Sequence, residues 1–331
     1  MAIALRRRKP VTPPTAKTKA AEDDGDKAAK AAELDRKLAK RAKRDAIAAI
    51  MVFIIAVVLT AFPFVTRAIS NQRQRAAIAR SQSAVAGWPY PRAERQLRAA
   101  RAYNRLLYQH GQSAIGELTD PFAGGGTSQD DSASAQDNRY QSLLDTGQGV
   151  MGAVRIPKIS VNLPIFHGTG EVALSKGAGH LHGTSLPVGG ENTHAVITGH
   201  RGMVTATMFT RLDELKKGDA FYIDVMGETL GYKVDSITVI LPTEGAKYLR
   251  VHRGEDRVTL MTCTPYGVNT HRLLVSGVRT PLSELAGQDD GAAYRDGIAV
   301  AVVVAVIAAA ILIIRRPAWM PIRHAADRGK L

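Results

Sequence analysis

Hydrophobic and polar positions alternate along this chain in three distinct ways: unbroken apolar blocks, helical spacing, and short β-branched runs. The first block, Ala46 to Thr66, is 21 residues without a charge. As a helix rising about 1.5 Å per residue it matches the roughly 30 Å hydrocarbon thickness of a bilayer. The second, Gly297 to Ile314, has 18 uncharged residues, within the usual span of about 17–25, and Trp319 follows as an interfacial anchor. Charges flank both abruptly, so both read as membrane helices, with a buried core helix as the alternative for each. Residues 67–110 show helical spacing in two pieces, broken at Gly87-Trp88-Pro89-Tyr90-Pro91. In the second piece Leu97, Ala100, Tyr103 and Leu107 share one face, while Arg92, Arg95, Arg98, Arg101 and Arg105 lie on another that reads as solvated. Residues 111–149, rich in Gly, Ser, Asp and Gln with Gly124-Gly125-Gly126 in the middle, read as a long loop, either disordered or a lid. From Gly152 to about Pro281 the pattern predicts strands at Ala153–Ile156, Leu163–Ile165, His194–Thr198, Ala220–Val225, Thr229–Ile240, Arg257–Met261 and Arg272–Val278. Many short strands separated by turn residues predict a mainly β domain, a closed barrel or a sandwich.

Charge changes this picture by assigning sides. The 331 residues carry a formal charge of +14, which invites a nucleic-acid reading until the charge is located. Residues 1–45 carry +7, 67–105 carry +8 and 315–331 carry +4, whereas 106–314 carry −5. The basic excess therefore flanks the apolar blocks and the bulk of the chain is mildly acidic, a layout suited to a membrane and not to a nucleic-acid groove. Eight Lys and Arg precede the first block within twenty residues and four follow it; five follow the second block and two precede it. The positive-inside rule then puts both termini in the cytoplasm and residues 67–296 outside. A 45-residue tail is too long for the n-region of a cleaved signal peptide, so the first block reads as a signal anchor. The composition of that tail predicts disorder, becoming helical near Leu34 to Ala46.

One cysteine excludes an internal disulfide framework. Cys263 ends an apolar strand and enters the turn Thr264-Pro265-Tyr266-Gly267, where a barrel presents reactive groups; a buried structural thiol is the alternative. A nucleophilic thiol needs a base or a positive neighbour. His200, in Gly199-His200-Arg201-Gly202 at the end of a predicted strand, is the sharpest candidate base. His180, His182 and His194 form a rival zinc-like cluster that no carboxylate or cysteine completes, and His252 and His271 read as structural. Arg272 opens the next strand beside Leu273, Leu274 and Val275, so a partly desolvated cation there suits an oxyanion, with a rim salt bridge as the alternative.

These residues carry a resemblance. The run Thr259 to Val275, TLMTCTPYGVNTHRLLV, resembles the TLxTCTPYGxNTHRLLV signature of the class C, pilin-polymerising sortases. Asn192 to Gly202 is similar to that family's histidine segment, Gly179 to Pro187 to the stretch before it, and Asp120-Pro121-Phe122 to its DP-aromatic lid motif. The resemblance covers about Gly152 to Arg279, with one departure at Ser276, where the pattern commonly has Arg. It implies a closed sortase-type β-barrel with N-terminal helices and a lid loop, flanked by two transmembrane helices. It further implies that Cys263 is the nucleophile, His200 the acid/base, Arg272 the oxyanion or substrate-positioning cation, and Asp120 and Phe122 the lid, with no cofactor and no metal. The substrates implied are LPxTG-bearing pilins or surface proteins, with a pilin lysine as acceptor.

The expected organisation is a cytoplasmic basic tail (1–45), a signal anchor (46–66), an extracellular helical segment and lid loop (67–149), a catalytic barrel (150–285), a linker (286–296), a second span (297–314) and a cytoplasmic basic tail (315–331). Leu241-Pro242-Thr243-Glu244-Gly245 resembles a sorting signal with its positions out of order, and reads as a strand-end turn. The alternatives to pilus polymerisation are housekeeping-type anchoring of surface proteins to a wall precursor, a catalytically silent membrane adapter, and a pilin subunit.

Overall fold

The computed structural model describes residues 16–112, 133–147, 149–203 and 205–285, in two units that meet in sequence between Thr60 and Ala61. Asp120 and Phe122, the linker, the second predicted span and the C-terminal tail lie outside the described residues. Helix α1 (Ala16–Ala86) begins well before Leu34, where the charged composition predicted disorder; Ala, Lys, Arg and Glu are strong helix formers, which accounts for the difference. Its apolar residues Ile54, Ile55, Val58 and Leu59 are exposed. Among the described residues this is the one helix long and apolar enough, by length and composition, to cross a membrane.

From Ala61 onward the end of α1 leads into helix α2 (Arg92–Gln109) through the predicted Gly-Trp-Pro-Tyr-Pro break. Helix α2 buries Leu97 and Ala100 as its spacing predicts. It also buries Asn104, whose amide exchanges two hydrogen bonds with the Leu186 backbone: Nδ2 donates to the carbonyl at 2.9 Å and Oδ1 accepts the N–H at 2.7 Å. Two short helices follow, α3 (Ala133–Gln136) and α4 (Asn138–Ser142). Asp137 caps α4 by accepting the Tyr140 N–H at 2.9 Å. The buried Tyr140 hydroxyl accepts the Gly168 N–H and faces His180 Nδ1, each at 2.9 Å, fastening this segment to the barrel.

The barrel strands are β1 (Val150–Ile156), β2 (Val161–His167), β3 (Ala178–His180), β4 (Thr193–Thr198), β5 (Ala220–Val225), β6 (Glu228–Ile240), β7 (Asp256–Thr264) and β8 (His271–Arg279), with helix α5 (Glu171–Lys176) between β2 and β3. They close in the order β1-β2-β3-β4-β7-β8-β6-β5, parallel at β2/β3 and β4/β7 and antiparallel elsewhere. Seven strands fall on predicted runs. The three-residue β3 escaped prediction because Ala178-Gly179-His180 offers no β-branched pattern. Inside the barrel Ile165, Ile197, Phe221, Tyr232, Leu260 and Val275 belong to the main core, with the Phe221 and Tyr232 rings stacked at 5.5 Å. A second cluster, Leu181, Val196, Ile240, Leu249, Met261 and Leu274, covers the opposite face of β4, β6, β7 and β8. Strands β4 and β7 are therefore buried on both faces, which is why they read as continuous apolar runs.

Candidate active site

Strand register pairs two of the three predicted residues and puts the third just past the end of the neighbouring strand. Antiparallel pairing sets Cys263, next to last in β7, directly opposite Arg272, second in β8. On the other side β4 runs parallel to β7, with Thr198 paired to Met261. Past the end of β4 the contact continues: the Gly199 N–H donates to the Met261 carbonyl at 3.1 Å and Thr262 Oγ1 donates to the Gly199 carbonyl at 2.7 Å. His200 follows Gly199, two residues past the end of β4. Side chains alternate along a strand, so Cys263 shares a face with Met261 and Arg272 with Leu274. Both apolar partners belong to the second cluster. The cysteine thus lies at one end of the sheet between the histidine segment and the arginine strand, on a dry face.

Cys263 is 4% exposed. Arg272 is also 4% exposed, and its Nη1 donates to the Asn269 and His271 carbonyls, both at 2.8 Å. The His271 carbonyl opens β8, and the Asn269 carbonyl belongs to the β7–β8 turn, where Asn269 adopts a φ of 61°, a left-handed conformation that Asn tolerates well. The turn thus holds one edge of the guanidinium. Burial lowers the pKa of His200 below the ordinary histidine value, against an opposing pull from the Glu171 carboxylate of α5 at 3.9 Å. The neutral imidazole is therefore favoured near neutral pH, ready to accept a proton. Gly199 is required here: a Cβ at that position would come within 2.7 Å of the Phe209 ring.

The rival histidines are occupied elsewhere. His180 Nε2 faces the Ser185 carbonyl at 2.8 Å and His182 pairs with Asp137. His194 Nδ1 faces the Arg250 carbonyl at 2.9 Å and its Nε2 the Thr259 hydroxyl at 2.7 Å. Among the described residues no group of three or more His, Cys, Asp or Glu is arranged to hold a metal. Ser276, the departure from the family pattern, extends the His194 chain: its hydroxyl meets that of Thr259 at 2.7 Å, in mid-strand and four residues along β8 from Arg272. Pro242–Glu244 is a turn after β6. Three residues near the site were not singled out from sequence: Glu171, Thr264 and Arg201. Arg201 had a signal in its adjacency to His200, whereas Glu171 is 29 positions away in sequence and had none.

The description "Sortase domain" matches residues 154–280. The chain is 30% identical over 144 residues to Sortase A of Streptococcus agalactiae, covering 43% of this chain and 57% of that protein. It is 31% identical over 145 residues to Sortase D of Bacillus subtilis, covering 43% and 69%. The chain thus spans little more than half the length of the first of these relatives. Among solved structures, sortase C1 of the GBS (group B Streptococcus) pilus island 1 superposes with a TM-score of 0.54 at 42% identity, over 63% of this chain and 92% of that one. The matched domain opens within β1 and closes just past β8, so it takes in all of the barrel but the first residues of β1; the chain belongs to the sortase family.

Proposed function

We propose that this chain is a membrane-anchored transpeptidase that cleaves an LPxTG-like sorting signal at Thr–Gly and passes the acyl group to a pilin lysine. The observation that carries this reading is the register of β7 and β8, which pairs Cys263 with Arg272, with His200 two residues past the end of β4, the strand on the other side of β7. Cys263 Sγ attacks the threonine carbonyl while neutral His200 accepts the thiol proton. Arg272, buried and held by its own turn, faces the developing oxyanion, where a desolvated cation acts strongly. The C–N bond then breaks, His200 returns the proton to the departing glycine amine, and a thioester remains on Cys263. A lysine amine attacks the thioester, its proton passes to His200, and thiolate expulsion followed by reprotonation restores the starting enzyme. One amide is exchanged for another, so the reaction needs no external energy source.

The likeness to a sortase C1 of a pilus island, at higher identity and coverage than to the Sortase A relative, supports polymerisation over anchoring to a wall precursor. The apolar window of α1 and the basic flanks of both sequence blocks support two spans with cytoplasmic termini and an outward barrel. The test is mass spectrometry of the full chain in detergent with an LPxTG peptide. A Cys263 adduct lacking the glycine fragment is expected, and Cys263→Ala must abolish it. Absence of an adduct from folded protein would refute transpeptidation and favour the adapter reading. A pilin fragment bearing its lysine should resolve the adduct into an isopeptide; resolution only by a wall-precursor amine would favour anchoring.

A further inference from the structure

We infer that Arg201 is a positioning residue for the Cys263–His200 pair, acting through the hydroxyl of Thr264. The inference rests on the reading of Cys263 and His200 as nucleophile and acid/base. His200 is flanked by Gly199 and Arg201, and Cys263 by Thr262 and Thr264. Both flanks are tied across the gap between the two segments. On one side Thr262 Oγ1 donates to the Gly199 carbonyl at 2.7 Å. On the other, Arg201 Nη1 donates to Thr264 Oγ1 at 2.9 Å. The pair of reacting residues is thus bracketed by two hydrogen bonds, one before it and one after it.

The second bracket is needed because regular pairing has ended. Strand β4 stops at Thr198, and Gly199 makes the last backbone bond to β7. Beyond that point the backbone ladder no longer controls how far His200 stands from Cys263. The Arg201 side chain takes over that task, and it is equipped for it. It is only 7% exposed, although it follows a strand end, and its Nη2 pairs with Asp213, which is half exposed. Asp213 belongs to the turn Leu212–Glu214, whose Leu212 is fully buried. One guanidinium therefore joins three points: the histidine segment, the residue after the thiol, and a turn anchored in the core. Its Nε, also buried, has no hydrogen-bond partner among the described residues, so the planar fork is aimed to span the two partners and not to satisfy every donor. A lysine has one point charge where arginine has a fork, and cannot hold both partners at once.

The experiment compares Arg201→Lys, Thr264→Val, Thr264→Ser and the Arg201→Lys/Thr264→Val double variant with the wild-type full chain in detergent. Single-turnover acylation by an LPxTG peptide is followed, together with the pH profile of Cys263 alkylation by iodoacetamide, which needs no peptide. Misplacing a reacting group by about 1 Å costs on the order of 10²-fold. Arg201→Lys and Thr264→Val should each slow acylation at saturating peptide by about 10–100-fold, with the half-saturating peptide concentration unchanged within about threefold and the alkylation pH profile displaced. Thr264→Ser keeps the hydroxyl and should restore both readouts. The double variant should be no worse than Arg201→Lys, because both changes break one link. Wild-type behaviour of Thr264→Val, failure of Thr264→Ser to rescue, or multiplying effects in the double variant would overturn the inference. Should Arg201→Lys fail to fold, the Thr264 pair decides alone, since it leaves the Asp213 ion pair intact. If the wild-type chain never acylates, the functional reading falls, while the alkylation profiles still report whether Arg201 and Thr264 set the thiol's surroundings.

Discussion

Lowering the pH from 7 to 5 should cost this fold about 4 kcal/mol through two histidines that the proposed chemistry does not use. Burial depresses His180 from 6.5 to about 3 and His194 from 6.5 to about 4. Burial keeps each ring neutral, against the Ser185 carbonyl beside His180 and the Arg250 carbonyl beside His194, which both favour the charged ring. The unfolded chain takes up protons near 6.5 that the native state refuses. Stability is therefore greatest above that value and falls as the pH drops toward the folded values. Between pH 7 and pH 5 the linkage integral gives about 2 kcal/mol for each residue. Urea unfolding at pH 7, 6 and 5 measures it as a falling midpoint at constant slope. His194→Gln, whatever its stability at pH 7, should remove about half of the pH dependence. A midpoint flat between pH 7 and 5, or an unchanged dependence in His194→Gln, would show that these rings are not held neutral by burial.

Arg272→Lys should lower the acylation rate by about 10²–10³-fold, because the ammonium cannot both hold the turn carbonyls and face an oxyanion; single-turnover acylation at saturating peptide checks it. Asn104→Ala should cost about 2–4 kcal/mol in denaturant unfolding, since it strands the buried Leu186 N–H and carbonyl that the amide satisfies. Tyr140→Phe should cost about 1–3 kcal/mol by leaving the Gly168 N–H and His180 Nδ1 without their shared partner, and should increase hydrogen exchange at Gly168. Gly199→Ala should slow acylation more than it lowers the unfolding midpoint, because the new methyl group meets Phe209 beside His200.

Much of this protein was legible from local pattern. The apolar block within α1, the Gly-Trp-Pro-Tyr-Pro break before α2 and seven of the eight strands follow from residue types acting on their own backbone, through period, β-branching and turn chemistry. Cys263, His200 and Arg272 could each be singled out because strand ends and flanking glycines are local features too. What their side chains meet was not legible in that way. Whether the strands form a sandwich or a barrel depends on which edges pair, and the closure runs through β3, whose Ala178-Gly179-His180 has no strand signature and is held by its neighbours. His180 and His194 looked like metal-ligand candidates because residue type and spacing are all that a sequence displays; their partners Tyr140, Arg250 and Thr259 come from distant segments. The same holds for the Arg201–Thr264 bond, 63 residues apart in the chain and formed only because β4 lies parallel to β7. Sequence determined which residues could do chemistry, since reactivity is a property of side chains. The tertiary structure decided their register, burial and partners, because hydrogen bonding and desolvation depend on what the rest of the chain brings into contact.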